Sequence, residues 1–124
     1  MKIKFMPQVE AERIIPTKNM AIISIVGQDS PPRRLKGWSN RLDLGFDDIV
    51  QETSGLHAPH KEDTNKIKGF IRTLPSNVDT IIVHCHMGQS RSSAVAKWLN
   101  EVYRTNDFPL FQSYNILVYR LLKS

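Results

Sequence analysis

Cys85 and Arg91 stand at the two ends of a loop-like stretch, His84-Cys85-His86-Met87-Gly88-Gln89-Ser90-Arg91-Ser92, with five residues between them. A thiolate is a strong nucleophile, and a helix N-terminus or a nearby positive charge lowers a thiol pKa by several units from about 8.5. A guanidinium presents a planar fork that binds two phosphate oxygens together, a geometry lysine lacks. At a helix start a cation is unfavourable on dipole grounds, so an anionic partner explains Arg91 better than a surface position does. Gly88 lets the backbone turn its amides inward. Ser92 can donate its hydroxyl to the cysteine sulfur or cap the following helix. The chemistry this set could perform is attack by sulfur on a bound phosphate.

These residues need a strand before them and a helix after. Thr80 to Val83 is an apolar run, and Asp79 to His84 reads as the central strand. From Ala94 to Tyr103, Val95, Trp98, Leu99, Val102 and Tyr103 fall at helical spacing. A strand, a Gly-containing loop and a helix aim N–H groups at one concave point, which is an anion site. Further upstream, Lys2 to Phe5 alternates as a half-buried strand does, and Val9 to Ile15 is a short helical candidate between Pro7 and Pro16. Met20 to Val26 is apolar and β-branched, hence a strand. Gly27 to Asn40 is expected as an exposed loop, with Trp38 packed back on the body. Leu42, Leu44 and Phe46 alternate with polar residues and run into Asp47-Asp48. After a loop from Gln51 to Pro59, a helix is expected from His60, with Ile67, Phe70, Ile71 and Leu74 on one stripe and Pro75 as its stop. Tyr114, Leu117, Val118, Leu121 and Leu122 mark a closing helix, for which Ser113 is a plausible N-cap.

Strands alternating with helices predict an α/β fold, a single domain over residues 1–124 with a largely parallel central sheet of about four to five strands and helices on both faces. Ligands of such sheets bind at the carboxyl ends of strands. If the strands ending at Phe46 and His84 are neighbours, Asp47-Asp48 and Cys85 share a rim.

The totals bound the function classes. The 124 residues are 40% hydrophobic and 23% charged, enough for a core without metal or disulfide. No apolar run approaches the ~20 residues of a membrane span, and the apolar part of the basic start is too short for a signal-peptide core. With one cysteine there is no internal disulfide, and a reduced, cytoplasmic location is expected. A lone cysteine is ordinarily a small buried apolar residue, but the neighbours of Cys85 argue otherwise. The net charge of +5, with a cluster at Arg33, Arg34, Lys36 and Arg41, suits an anionic substrate. No aromatic interleaving or nucleic-acid motif accompanies it, so the cluster is expected to be a solvated loop and nucleic-acid binding is not expected. A metal reading of His84, Cys85 and His86 is disfavoured: consecutive side chains point apart, only His57 and His60 remain as helpers, and metal-type cysteine spacing is missing.

His84-Cys85, five residues, then Arg91-Ser92 resembles the signature of the protein tyrosine phosphatase superfamily. Gly88-Gln89-Ser90-Arg91-Ser92 looks like its dual-specificity branch, and most like the small bacterial and phage members. The resemblance is strong over Thr80 to Tyr103 and weaker in Ala21 to Ile25, Leu42 to Ile49 and Asn115 to Leu122. It implies a dual-specificity phosphatase-like fold and metal-independent, two-step phosphoryl transfer without a cofactor. Cys85 would be the nucleophile. The amides of the loop His86, Met87, Gly88, Gln89, Ser90 and Arg91, with the Arg91 guanidinium, would bind the phosphate. His84 would support the thiolate, and Ser92 would ease departure of the sulfur.

The resemblance also implies an aspartic acid on a separate loop after a strand. Asp47 and Asp48 meet that description. Leu42, Leu44 and Phe46 share a face that residue 48 continues, which favours Asp48; a bend at the strand end would give Asp47. The implied substrate is a phosphorylated protein or peptide carrying phosphotyrosine, with phosphoserine and phosphothreonine also admitted by a shallow pocket. Beside that substrate no partner is expected: a monomer, without a membrane contact. A phosphate-recognising module of the same fold, with little or no turnover, is the alternative.

Overall fold

The computed structural model describes residues 1–30, 33–105 and 113–124. Four parallel strands form its sheet: β1 (Lys2–Pro7), β2 (Met20–Val26), β3 (Asn40–Gly45) and β4 (Thr80–Cys85), in the order β1-β4-β2-β3. The helices are α1 (Gln8–Ala11), α2 (Lys61–Arg72), α3 (Arg91–Val102) and α4 (Ile116–Lys123). The expected α/β class with a parallel central sheet is what this chain adopts.

The period-2 side-chain alternation of strands explains the two cores. In register, Ala21 pairs with Ile81 and Ile23 with Val83, while Ile23 pairs with Leu42 and Ile25 with Leu44. These residues, with Phe46 and Cys85, point to one face and pack against Ile67 of α2, Val95 and Leu99 of α3, and Val118 and Leu122 of α4. The opposite face carries Ile22 and Ile82, covered by Ala11 of α1, by Leu35 and by the half-buried Trp38. Helices thus lie on both faces, but unequally: three cover one face, and a one-turn helix and a loop cover the other. Burial on both sides explains why β2 is apolar almost throughout.

Several local expectations are corrected. The helix expected over Val9–Ile15 ends at Ala11, because Val9 and Ile15 are 63% and 90% exposed and give no apolar stripe to dock. The basic cluster is solvated only in part: Arg34 and Lys36 are exposed in the loop as expected, whereas Arg33 and Arg41 are anchored. Arg33 and Arg41 both pair with Asp43, at 3.4 and 2.8 Å, and the same guanidinium groups donate to the Leu44 and Leu35 carbonyls. The cap of α4 is Asn115, whose Oδ1 accepts from the Val118 amide at 3.0 Å, and not Ser113. Among the described residues, no helix is long and apolar enough to cross a membrane.

Candidate active site

β4 ends at Cys85 and α3 begins at Arg91, so residues 86–90 form the expected strand–loop–helix turn at the carboxyl edge of the sheet. Gly88 makes the turn possible for two reasons. Its φ is +69°, and a Cβ there would lie 2.2 Å from the Pro7 nitrogen and 2.4 Å from the Met6 carbonyl carbon. The end of β1 therefore buttresses the loop, and the Gln8 amide donates to the His86 carbonyl at 3.4 Å. His86, Met87 and Gln89 are exposed around the mouth, whereas Gly88 and Ser90 are half-buried. A groove lined by Gln8, Val9, Glu12, Ser30 and His86 borders that mouth.

Cys85 lies at the floor of the loop, 1% exposed, with its Sγ 3.1 Å from Ser92 Oγ. Burial pushes the thiol up. The Ser92 hydroxyl, the amides of Ser92 and Gly88, and the Arg91 charge outweigh it and hold the thiol below its ordinary value. Ser92 is consequently not the helix cap. Ser90 occupies the N-cap position of α3 without a side-chain cap bond, since its hydroxyl is engaged elsewhere. That leaves amides of the first helical turn free to face the sulfur.

Arg91 is 8% exposed, and its Nη1 donates to the Phe46 carbonyl at 2.9 Å. Phe46 extends the sheet by one bond, its amide donating to Val26 at 2.9 Å. The arginine is thereby tied to the segment that leads into Asp47-Asp48. Its Nε is buried and has no protein partner among the described residues. A buried charged donor left unmatched is costly.

His84 is fully buried on the other face, 2.6 Å from Ser24 Oγ through Nε2. Burial lowers its pKa to about 4 against the opposing pull of the Cys85 backbone, so the ring is neutral near pH 7. A neutral ring bonded across to β2 fixes the backbone from which Cys85 projects.

The aspartate pair divides its tasks. Asp47 Oδ2 accepts from the His57 amide at 2.7 Å, and the Asp47 amide donates to the His57 carbonyl at 2.7 Å. It is turned to the following loop. Asp48 Oδ1 instead accepts from Ser90 Oγ at 2.9 Å and from Asn115 Nδ2 at 2.8 Å. Cys85 and Ser92 are in contact, Arg91 follows in the same turn, and Asp48 reaches that turn through Ser90. Asn115 is the residue that the sequence reading missed. Its side chain also donates to the Ile49 carbonyl at 3.1 Å, and its amide donates to the Ser90 carbonyl at 3.0 Å. An asparagine just ahead of an apolar helical stripe was the only signal, and that signal says cap, not site.

Comparison with protein-family models gives no match, and neither the curated proteins nor the solved structures yield one.

Proposed function

We propose that this chain is a cysteine-dependent phosphomonoester hydrolase of the protein tyrosine phosphatase superfamily, dual-specificity-like, acting in the cytoplasm on phosphoproteins. The observation that carries the reading is the set of donors gathered on the Cys85 sulfur at the strand–loop–helix turn: the Ser92 hydroxyl at 3.1 Å, the amides of Gly88 and Ser92, and the Arg91 charge. Donors that hold a thiolate beside a guanidinium are what attack by sulfur on phosphate requires.

In the first step the Cys85 thiolate forms a bond to phosphorus in line with the departing phenolate or alkoxide. The loop amides and Arg91 bind the equatorial oxygens and supply the electrostatic stabilisation. The P–O bond to the substrate breaks, and Asp48 gives its proton to the leaving oxygen. Both donors to Asp48 engage Oδ1, which leaves Oδ2 to carry that proton. In the second step the Asp48 carboxylate takes a proton from water as its oxygen attacks phosphorus, and the S–P bond breaks with the Ser92 hydroxyl donating to the departing sulfur. No cofactor is required by this chemistry. Phosphotyrosine is the substrate class, with phosphoserine and phosphothreonine also admitted; His86, Met87 and Gln89, exposed on the loop, are the residues that would meet the substrate.

The test is hydrolysis of an aryl phosphate in the presence of a chelator. Turnover abolished by Cys85→Ser, and lowered on the order of 100-fold by Asp48→Ala for a poor leaving group, is the expected result. Phosphopeptide binding without turnover in the unaltered protein would replace this reading with a recognition module.

A further inference from the structure

We propose that His57, His60 and Asp63 form a divalent-metal site, suited to zinc, that clamps the loop after Asp48 to the start of α2. The site stands on residues outside the thiol loop and does not depend on the phosphatase reading. One ligand atom from each of the three lies within 4.8 Å of the others. His57 Nε2 is 3.8 Å from Asp63 Oδ2, and the two imidazoles meet edge to face with centroids 5.0 Å apart. His60 Nε2 also meets Glu52 Oε1 at 2.5 Å, so a further carboxylate borders the cluster.

Tetrahedral zinc with bonds of about 2.0–2.2 Å needs its ligand atoms roughly 3.4 Å apart. The existing cluster closes to that spacing by rotation of the two imidazoles, whose side chains are 32% and 48% exposed. Asp63 is the fixed member: its side chain is 11% exposed, and its Oδ2 accepts from the His60 amide at 2.8 Å. The Asp63 carboxylate, with that of Glu52 beside the His60 ring, balances the charge of a dication at the N-terminal end of the α2 dipole. A mixed nitrogen and oxygen set of this kind favours zinc over magnesium or calcium, which prefer oxygen alone.

The consequence is mechanical. The backbone of His57 holds Asp47 in both directions at 2.7 Å, and Asp48 is the next residue. A metal on the His57 ring would therefore stiffen the segment that presents Asp48 to Ser90, while taking no part in the chemical step.

The experiment is zinc titration of the untagged Cys85→Ser protein by calorimetry, the serine removing the competing thiolate. Binding of one equivalent tighter than about 100 μM, with a rise in Tm, is expected. Affinity should fall at least about tenfold both in the His57→Ala/His60→Ala double variant and in Asp63→Asn, which keeps an acceptor for the His60 amide. Cobalt should report the same site by tetrahedral absorption bands. Binding weaker than that limit, or affinity unchanged in both variants, would overturn the proposal. Turnover of aryl phosphate by the unaltered protein is a separate readout, so neither result decides the other.

Discussion

Asn115 Nδ2 donates to Asp48 Oδ1 at 2.8 Å, joining residues 67 apart in the sequence. The same side chain caps α4 through Val118, and the Asn115 backbone amide donates to the Ser90 carbonyl, so one residue, 3% exposed, links the candidate acid, the thiol loop and the last helix. Asn115→Ala removes a cap and unpairs buried groups, and a loss of about 2–3 kcal/mol is expected in urea unfolding. Asn115→Asp is the sharper variant. It keeps the cap acceptor but sets a second carboxylate against Asp48. The expected outcome is kcat lowered about tenfold or more for substrates with poor leaving groups, and little change for good ones. Equal losses for both substrate types would mean that Asn115 does not act through Asp48.

Ser92→Ala should reveal itself in the thiol before it does in the fold. With the 3.1 Å hydroxyl contact gone, burial of the sulfur is less well offset, and the Cys85 pKa should rise toward its ordinary value. Alkylation by iodoacetamide followed against pH measures this directly: the midpoint moves upward in the variant. Turnover should show an initial burst of leaving group followed by a slower steady rate, because breakdown of the cysteinyl-phosphate loses the donor to sulfur. An unchanged alkylation midpoint would remove Ser92 from the account.

The strands were legible because burial writes itself plainly into sequence. Met20–Val26 is buried almost throughout and reads as a continuous apolar run. The parity of Leu42, Leu44 and Phe46 does not itself extend to residue 48, because β3 ends at Gly45, and it is the Ser90 bond that turns Asp48 toward the thiol loop. The Cys85–Arg91 loop was legible because its backbone geometry requires a strand, a glycine and a helix in that order. Asn115 was not, since Ser113 and Asn115 are both good capping residues. The choice between them is settled by Asp48 and Ser90, which approach only in the folded chain. The short α1 and the anchored Arg33 and Arg41 failed for a similar reason: local pattern cannot say whether a stripe meets a partner, or whether a cation meets Asp43.

Gly88→Ala tests whether β1 holds the loop. The substitution places a Cβ against the Met6–Pro7 backbone while forcing a left-handed conformation on a side chain. Backbone atoms cannot swing aside as a flexible side chain does. The expected loss is more than about 2 kcal/mol, and turnover should fall even at temperatures where the fold persists, because the amide at residue 88 faces the sulfur. A variant with unaltered stability would mean that the close approach of Pro7 relaxes without cost.

His84 should make the protein acid-sensitive. Its pKa is lowered from 6.5 to about 4 in the folded state, mainly by burial, whereas the unfolded chain binds the proton near the ordinary value. Between those limits the unfolded state therefore holds more protons than the native state. The histidine's effect on stability is nil above pH 6.5, grows unfavourable as pH falls through that window, and levels off below about 4. The ceiling is on the order of 3 kcal/mol. Urea unfolding of the unaltered protein and of His84→Gln, each from pH 7.5 to pH 4, isolates the contribution, because the carboxylates common to both cancel in the difference. The substitution should cost stability near neutrality by disturbing the 2.6 Å contact with Ser24, and the gap should narrow steadily as the solution is acidified. Parallel curves would show that the buried ring exchanges its proton as freely as it does in the unfolded chain. That would remove the reason for regarding it as a fixed, neutral support beneath Cys85.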